Sequence, residues 1–597
     1  MKARFVVQLS IALAASLSLA TRTSRAVGSS GPRPDPTFDG RMGGASTNAV
    51  LDPPTEIPGE IVVDLKDDIG AADVAAVGAR YGVSLRPNSA WSVSHDKLEV
   101  ADVDPADEPA LIEALSRDPR VEHAEPMALY RALFVPDDPL YESKQWHLKR
   151  VGAEKAWDYT CGRGVTVAVV DTGIACFDKG PFSKGTDLVG TRCEGGWNFV
   201  DDSAHASDDQ GHGTHVAGTI AQTTNNGVGA AGLAYCASLM PVKVLNKQGF
   251  GSVASVAEGI RFAADEGAQV INLSLGGPIK SRILEDAVEH AIDRGVVVVA
   301  AAGNSGRNVG YPAAYPGVVA VSATDADDKI AWFSSRGPEV SIAAPGVGVT
   351  QQTVCNAGRD RCELFGTFNG TSMASPHVAG IVAMIEALGV TQPSAVKSVL
   401  ASTARPAPGA ELYGAGIVDG GAAAAHVFWG HFALRVLALV GLGWAVRRRI
   451  QKRGGRLSRS ALAWCGVVAA ATGLFPVGPW LGFGSGGDGL GALGQLAMRP
   501  FGEWDLVLLG VSAHRWMLFS SALPVIALTA LGFANRSIRP VVGGVALGMA
   551  ALLLQMAWSQ DTRFVGGPFW ACVLALANAL VCAWIARVGL EVRKTEA

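Results

Sequence analysis

Ser372 stands between threonine and methionine in NGTSMASPHVAG (residues 369–380), behind Gly370 and at the expected first turn of a helix. A lone serine hydroxyl is a poor nucleophile at neutral pH. No acid or base stands beside this one, so chemistry at Ser372 needs activating groups from elsewhere in the chain. Two stretches supply them. VTVAVVDTGI (165–174) puts Asp171 just past a strand-length apolar run, and DDQGHGTHVAGTIA (208–221) puts His212 in a glycine-bounded turn leading into a helix. An acid, a base and an alcohol permit nucleophilic catalysis. His212 would take the Ser372 proton and later give it to a leaving amine, while Asp171 fixes the imidazole tautomer and stabilises its protonated form. The oxyanion that forms needs donors. The backbone N–H of Ser372 at a helix start is one, and Asn304, ending the strand of VVVVAAAGNSG (296–306), is placed to be the second.

These groups need a scaffold that brings four distant stretches together. From about residue 134 to 427 the chain alternates strand-length apolar runs (VTVAVV, QVINLSL, GVVVVAAAG) with helical patterns such as VASVAEGIRFAADEG. Unbroken apolar runs are expected when both faces of a parallel sheet are covered, so this part reads as a three-layer α/β domain with its site at the carboxyl ends of the strands. Ahead of it, residues 60–133 read as β-α-β-α-β, a small α+β ferredoxin-like module, with one further strand expected near SAWSVS (89–94). Residues 27–59 are Pro-, Gly- and Ser-rich and read as a linker. Residues 1–26 carry Lys2 and Arg4, an apolar run, and Ser18 and Ala20 at small-residue cleavage spacing: a secretory signal.

Charge divides the chain again at Phe428. Residues 428–597 hold 16 Lys+Arg against 6 Asp+Glu, leaving the front acidic by 14 charges, which argues against nucleic-acid binding. The back is an all-α membrane region, with five expected spans: 428–446, 461–481, 516–533, 541–558 and 567–585. Arg435 interrupts the first and must snorkel or find a partner. Basic residues cluster at 447–459, 536–539 and 587–594 and are sparse between the other spans. That places the catalytic side on the exported face of the cytoplasmic membrane and the C-terminus in the cytoplasm. WDLVLLGVSA (504–513) reads as a re-entrant piece. A transporter fragment is the competing reading of this half, but no paired buried charges are expected to mark an ion path. Export permits disulfides; the short loop between Cys355 and Cys362 suggests one pair, and Cys176 with Cys193 a second.

VAVVDTGI, GHGTHVAGT, INLSLGG, AAGN and GTSMASPHVAG, in this order, resemble the subtilisin-like serine proteases (subtilases), over about residues 60–425. The sedolisins, with an acidic residue in place of the histidine, fit poorly because His212 is present. The resemblance implies a serine endopeptidase made as a zymogen, here anchored by the expected membrane half, acting on polypeptide substrates, with residues 60–133 as its own inhibitory propeptide and a mature start between Leu129 and Tyr141. It implies a pocket for the residue before the scissile bond, walled by Ser274, Leu275, Gly276, Ala301, Ala302 and Gly303 with Gly310 at its floor, and substrate pairing along Gly249 and Gly251. With no acid in these segments, apolar or aromatic occupants are expected. No catalytic cofactor is needed; Asp187 and Asn226 fall where members of the family bind structural calcium. His215 and His377 read as packing residues. The alternative is an inactive protease-like protein that binds peptides or signals through its membrane segments.

Overall fold

The computed structural model describes residues 56–592 except 90, 94, 129–134, 355–363, 476, 477 and 479–490. The secretory signal, most of the linker, the start of the mature-terminus window and the Cys355–Cys362 pair therefore lie outside the described residues.

The chain forms two units, one up to Tyr130 and one from Arg131. In the first, strands β1 (Glu56–Leu65), β2 (Arg86–Pro87), β3 (Leu98–Asp102) and β4 (Val121–Ala128) make an antiparallel sheet in the order 2-3-1-4. Helices α1 (Ala71–Tyr81) and α2 (Glu108–Leu115) bury Val77 and Leu115 against Ile61, Val63 and Leu65. The elements follow in the order β-α-β-β-α-β around this sheet. The extra strand, however, is two residues at Arg86–Pro87, and residues 91–93 are turn, because Pro87 and the Ser89–Ser92 hydroxyl pair end the extended run.

The second unit is built on a parallel sheet of β5 (Thr166–Asp171), β6 (Arg192–Cys193), β7 (Trp197–Asn198), β8 (Ser238–Lys243), β9 (Val270–Leu273), β10 (Val297–Ala301), β11 (Val319–Thr324) and β12 (Val340–Pro345). The strand order is 12-11-10-9-5-8-6, with β7 also on β8. Successive residues of β5 feed opposite cores: Val167 and Val169 face one cluster, Ala168 and Val170 the other. That two-sided burial is why the strand is apolar without alternation. Helix α3 (His212–Ala221) and the long α6 (Thr371–Ala387) cover the first face; α4 (Val253–Asp265) and α5 (Arg282–Asp293) cover the second. Disulfides join Cys176 to Cys193, as expected, and Cys161 to Cys236, a pairing not anticipated.

The last helix of this domain does not stop at its edge. Helix α7 runs unbroken from Gly420 to Lys452, 33 residues or about 50 Å, and carries the domain into the apolar back half. Three helices among the described residues are long and apolar enough to cross a membrane: α7, α10 (Arg539–Ser559) and α11 (Gly567–Leu590). The expectation of five spans is corrected here. The second and third segments are helical over Ala461–Ala471 (α8) and Leu523–Gly532 (α9), 11 and 10 residues, about half a hydrocarbon core. Gly473, in a left-handed conformation, ends α8, while Met517, also left-handed, and Pro524 delay α9. The α8 backbone instead packs against Gly544 and Gly548 of α10, where any side chain would collide with the Ala463 and Val467 carbonyls.

Buried charge pairs do occur in this half, against expectation. Arg435 pairs with Glu503 and donates to Gln555 Oε1 at 3.0 Å, His431 meets Asp561 at 2.7 Å, and His514 meets Asp505 at 2.8 Å. The 504–513 stretch is not re-entrant. Leu506 and Val511 sit in the core of the α/β domain, and Val511 N–H donates to Gly164 O at 3.0 Å.

Candidate active site

Asp171 is the last residue of β5 and is fully buried. Its Oδ1 accepts from Thr172 N at 2.7 Å and lies 2.8 Å from His212 Nδ1. His212 opens α3 behind Gly211, whose φ of +106° turns the chain into the helix. The next residue must be glycine: a Cβ on Gly213 would stand 2.1 Å from Gly173 O. Burial disfavours the His212 imidazolium, but the charge of Asp171 and its hydrogen bond outweigh this and hold its pKa above the usual 6.5.

Asp208, which sequence reasoning passed over, staples this turn. Its carboxylate accepts from the N–H groups of Gln210, Gly211 and Thr214 and from the hydroxyls of Thr172 and Thr214. The signal was present as a second acid inside the histidine motif. Thr172 Oγ1 in turn accepts from Gly213 N at 2.9 Å, locking the aspartate strand to the histidine helix.

Ser372 is the second residue of α6. Four residues on, Pro376 lacks the N–H that would have bonded the Ser372 carbonyl. Ser274 Oγ fills that vacancy, donating to Ser372 O at 2.8 Å, while Ser375 Oγ donates to Asn272 Oδ1 at 2.7 Å. Asn272, a buried polar residue in apolar β9, is a second support that sequence reasoning did not single out. Asn304 Oδ1 accepts from Thr371 N and Thr371 Oγ1, both at 2.9 Å. A backbone N–H can only donate, so the amide orientation is fixed and Nδ2 is left to donate elsewhere. Nδ2 and Ser372 N flank one point, 3.4 and 3.6 Å from where a Cβ on Gly370 would sit. Glycine keeps that space open.

The structure joins Asp171 to His212 and Asn304 to the Ser372 turn. It does not join Ser372 to His212: the Ser372 hydroxyl donates to Ser274 O at 3.0 Å instead. Two adjoining pockets share the wall Leu275–Pro278. His212, Gly249, Gly251 and Ser274 line one; Ala301, Ala302, Gly303, Asn304, Gly310 and Ser372 line the other. His215 and His377 are buried, His215 stacked on Phe368 and His377 bonded to Met373 O and to His147. Burial pushes them down to about 3 and about 4, so both are neutral packing groups.

Asp187 and Asn226 also meet: Asn226 Nδ2 donates to Asp187 Oδ1 at 2.8 Å. Beside them is Asp138, which sequence reasoning missed. Its Oδ2 accepts from Asn225 N, and its buried Oδ1 has no hydrogen-bond partner. Burial, with the Asp187 charge adding to it, pushes the Asp138 carboxyl up to about 6. A buried, unpartnered carboxylate oxygen that feels the charge of a second carboxylate is the kind of oxygen donor that suits a hard cation.

Residues 162–420 match the subtilase family. Three relatives are similar. The thermophilic serine proteinase of Bacillus sp. (strain AK1) is 38% identical over 336 residues, 56% of this chain and 79% of its own length. Thermitase of Thermoactinomyces vulgaris is 40% identical over 47% of this chain and 95% of its own length. Subtilisin Savinase of Lederbergia lenta is 43% identical over 47% of this chain and 99% of its own length.

Proposed function

The chain belongs to the subtilase family and is a subtilisin-like serine protease, and we propose that it is an exported, membrane-anchored endopeptidase, made as a zymogen, that cleaves peptide bonds through an acyl-enzyme on Ser372. The Asp171–His212 pair at the rim of the sheet, with the Asn304 amide fixed beside the Ser372 N–H, carries this reading.

In the reaction a rotation about χ1 takes the Ser372 hydroxyl from the Ser274 carbonyl to His212. As Oγ attacks the scissile carbonyl, Nε2 accepts its proton, and Asp171 stabilises the imidazolium through Nδ1–H. The carbonyl oxygen, now an oxyanion, takes hydrogen bonds from Ser372 N and Asn304 Nδ2. The imidazolium then protonates the leaving amine, the C–N bond breaks, and water attacks the acyl-enzyme by the same path. Ser274, Leu275, Gly276, Ala301, Ala302, Gly303 and Gly310 receive the side chain before the scissile bond, and Gly249 and Gly251 pair with the substrate backbone. A fluorophosphonate should label one residue of the full-length membrane protein, and peptide mapping should find it at Ser372. An unlabelled Ser372 would leave the peptide-binding alternative standing.

The ferredoxin-like module serves as the inhibitory propeptide. The anchor is the three-helix set. Its exposed Trp444 and Trp584 lie toward the end tied together by the Arg456–Leu457 and Glu591–Val592 strand pair, and Trp558, Phe569 and Trp570 lie toward the protease end. Aromatic residues at two levels fit the two interfaces of a bilayer. Basic residues at the far end put the C-terminus in the cytoplasm.

Asp138 and Asp187, with Asn226 and neighbouring carbonyls, would hold a structural calcium ion, whose charge would offset that of the two carboxylates. Saturating calcium should raise the thermal midpoint of the chelator-treated protein by about 5–10 °C. Asp138→Asn should remove most of that response. A midpoint indifferent to chelator and calcium refutes the site.

A further inference from the structure

We propose that the pocket beside Ser372 selects an acidic side chain, glutamate above all, at the residue before the scissile bond, and that Arg307 and Arg336 read its charge. This rests on the reading of Ser372 as the nucleophile and adds a substrate class to it.

The walls of the pocket are small and uncharged: Ala301, Ala302, Gly303, Gly276, Gly277 and Gly310 offer shape and backbone but no charge. The charge comes from two loops at its margin. Arg307 and Arg336 both line the pocket, no carboxylate does, and both residues are exposed. Neither guanidinium has an ion-pair or hydrogen-bond partner among the described residues. Arg150, Arg192, Arg282, Arg294 and Arg405 each pair with a carboxylate, while Arg163 and Arg261 do not among the described residues; Arg307 and Arg336 differ from those two in lining this pocket. Glu339 lies against Gly337, three residues from Arg336, yet pairs with neither arginine.

The two loops are held in register. Arg336 N donates to Arg307 O at 2.7 Å, Ser335 N to Gly303 O at 2.8 Å and Gly306 N to Phe333 O at 2.7 Å, and the Ser305 and Ser335 hydroxyls are 3.1 Å apart. The two cations therefore flank one opening on a braced frame. A guanidinium offers paired N–H donors that match a carboxylate, and two of them with no internal counter-ion leave that preference unspent. The glutamate side chain is long enough to pass the small walls and place its carboxylate at the margin. Expectation from the wall residues alone favoured apolar occupants; the arginines lie outside those wall segments and enter only through the fold.

The test uses the full-length protein in detergent and peptides that differ only in Glu or Gln before the scissile bond. The two side chains are nearly isosteric, so their ratio of kcat/KM isolates charge. Because both arginines are solvent-exposed, we expect Glu to be favoured by about 3- to 10-fold at low ionic strength and the preference to fade in 0.5 M salt. In R307Q and R336Q, made singly and together, the ratio should fall toward one, with fluorophosphonate labelling of each variant reporting that it is folded. A wild-type ratio of one or below, or a preference that survives in the labelled double variant, overturns the inference and leaves the protease reading intact. Failure to cleave either peptide, with Ser372 unlabelled, overturns both.

Discussion

Ser372→Ala should lower peptide hydrolysis by roughly 10⁶-fold and Asp171→Asn by roughly 10⁴-fold, magnitudes known from serine proteases, subtilisin among them. The two losses have different causes. Alanine removes the atom that forms the acyl bond. Asparagine keeps the shape at Asp171 but turns an acceptor into a group that can present an N–H to His212 Nδ1, now 2.8 Å from a carboxylate oxygen. The imidazole then carries its proton on Nε2, facing Ser372, where a lone pair is needed. The same contact sets the pH dependence. His212 acts as a base only when neutral, and its pKa is raised above 6.5 because the Asp171 charge and hydrogen bond outweigh burial. In the wild type the acid limb of kcat/KM should therefore lie above pH 6.5, with activity rising as pH passes through it. Without the carboxylate, burial dominates and only the weaker Asp208 charge opposes it, so the residual activity of Asp171→Asn should have its acid limb below the wild-type one. A variant within ten-fold of wild type, or a limb that stays in place, would contradict the assigned roles.

What the sequence made legible was whatever depends on short-range pattern. The continuous apolar run at 165–170 announced a strand buried on both faces, and Val167 and Ala168 do enter opposite cores. Glycines around His212 announced a tight junction, and Gly213 indeed admits no side chain. Partnerships across the fold left no local trace. Nothing near Cys161 pointed to Cys236, 75 residues away, nor anything near Asp138 to Asp187. Asp208 and Asn272 were ambiguous for another reason: a buried polar residue and a surface one look alike until the groups they bond are known. In the back half, hydropathy measured how apolar each segment is. Helix length depends instead on where Gly473, Met517 and Pro524 interrupt it, so two segments apolar enough to span are helical for only 11 and 10 residues. The 504–513 stretch shows the limit most sharply, since its apolar residues were destined for the protease core.

That stretch leads to the second large effect: a chain ending after Lys452 should not yield a stable protease domain. Relatives such as subtilisin Savinase are matched over 99% of their length by about half of this chain, so the fold as such closes without a membrane region. In this chain part of the closure has moved. Leu506 and Val511 are buried in the protease core, and Leu506 O approaches so closely that any side chain at Gly164 would collide with it. Just past the end of α6, the helix that carries Ser372 in its first turn, Thr391 N and Gln392 N both donate to Asp561 O at 2.9 Å. Thr562 Oγ1 donates to Gly389 O and Arg563 N to Thr391 Oγ1, each at 2.8 Å. Inside the same helix, burial holds the Glu386 carboxyl well above its usual pKa, with only the Arg515 charge opposing. Removing residues 453–597 strips, among other contacts, two apolar side chains, worth about 1.5–3 kcal/mol each, and the four hydrogen bonds just named, worth about 1 kcal/mol each. The sum, roughly 7–10 kcal/mol, rivals the whole stability of an ordinary domain. Expressed alone, residues 1–452 should lose cooperative unfolding or melt more than about 10 °C below the full chain in detergent. A truncated protein with the full-length midpoint and undiminished kcat would show that the chain after Lys452 adds nothing to the fold of the protease domain.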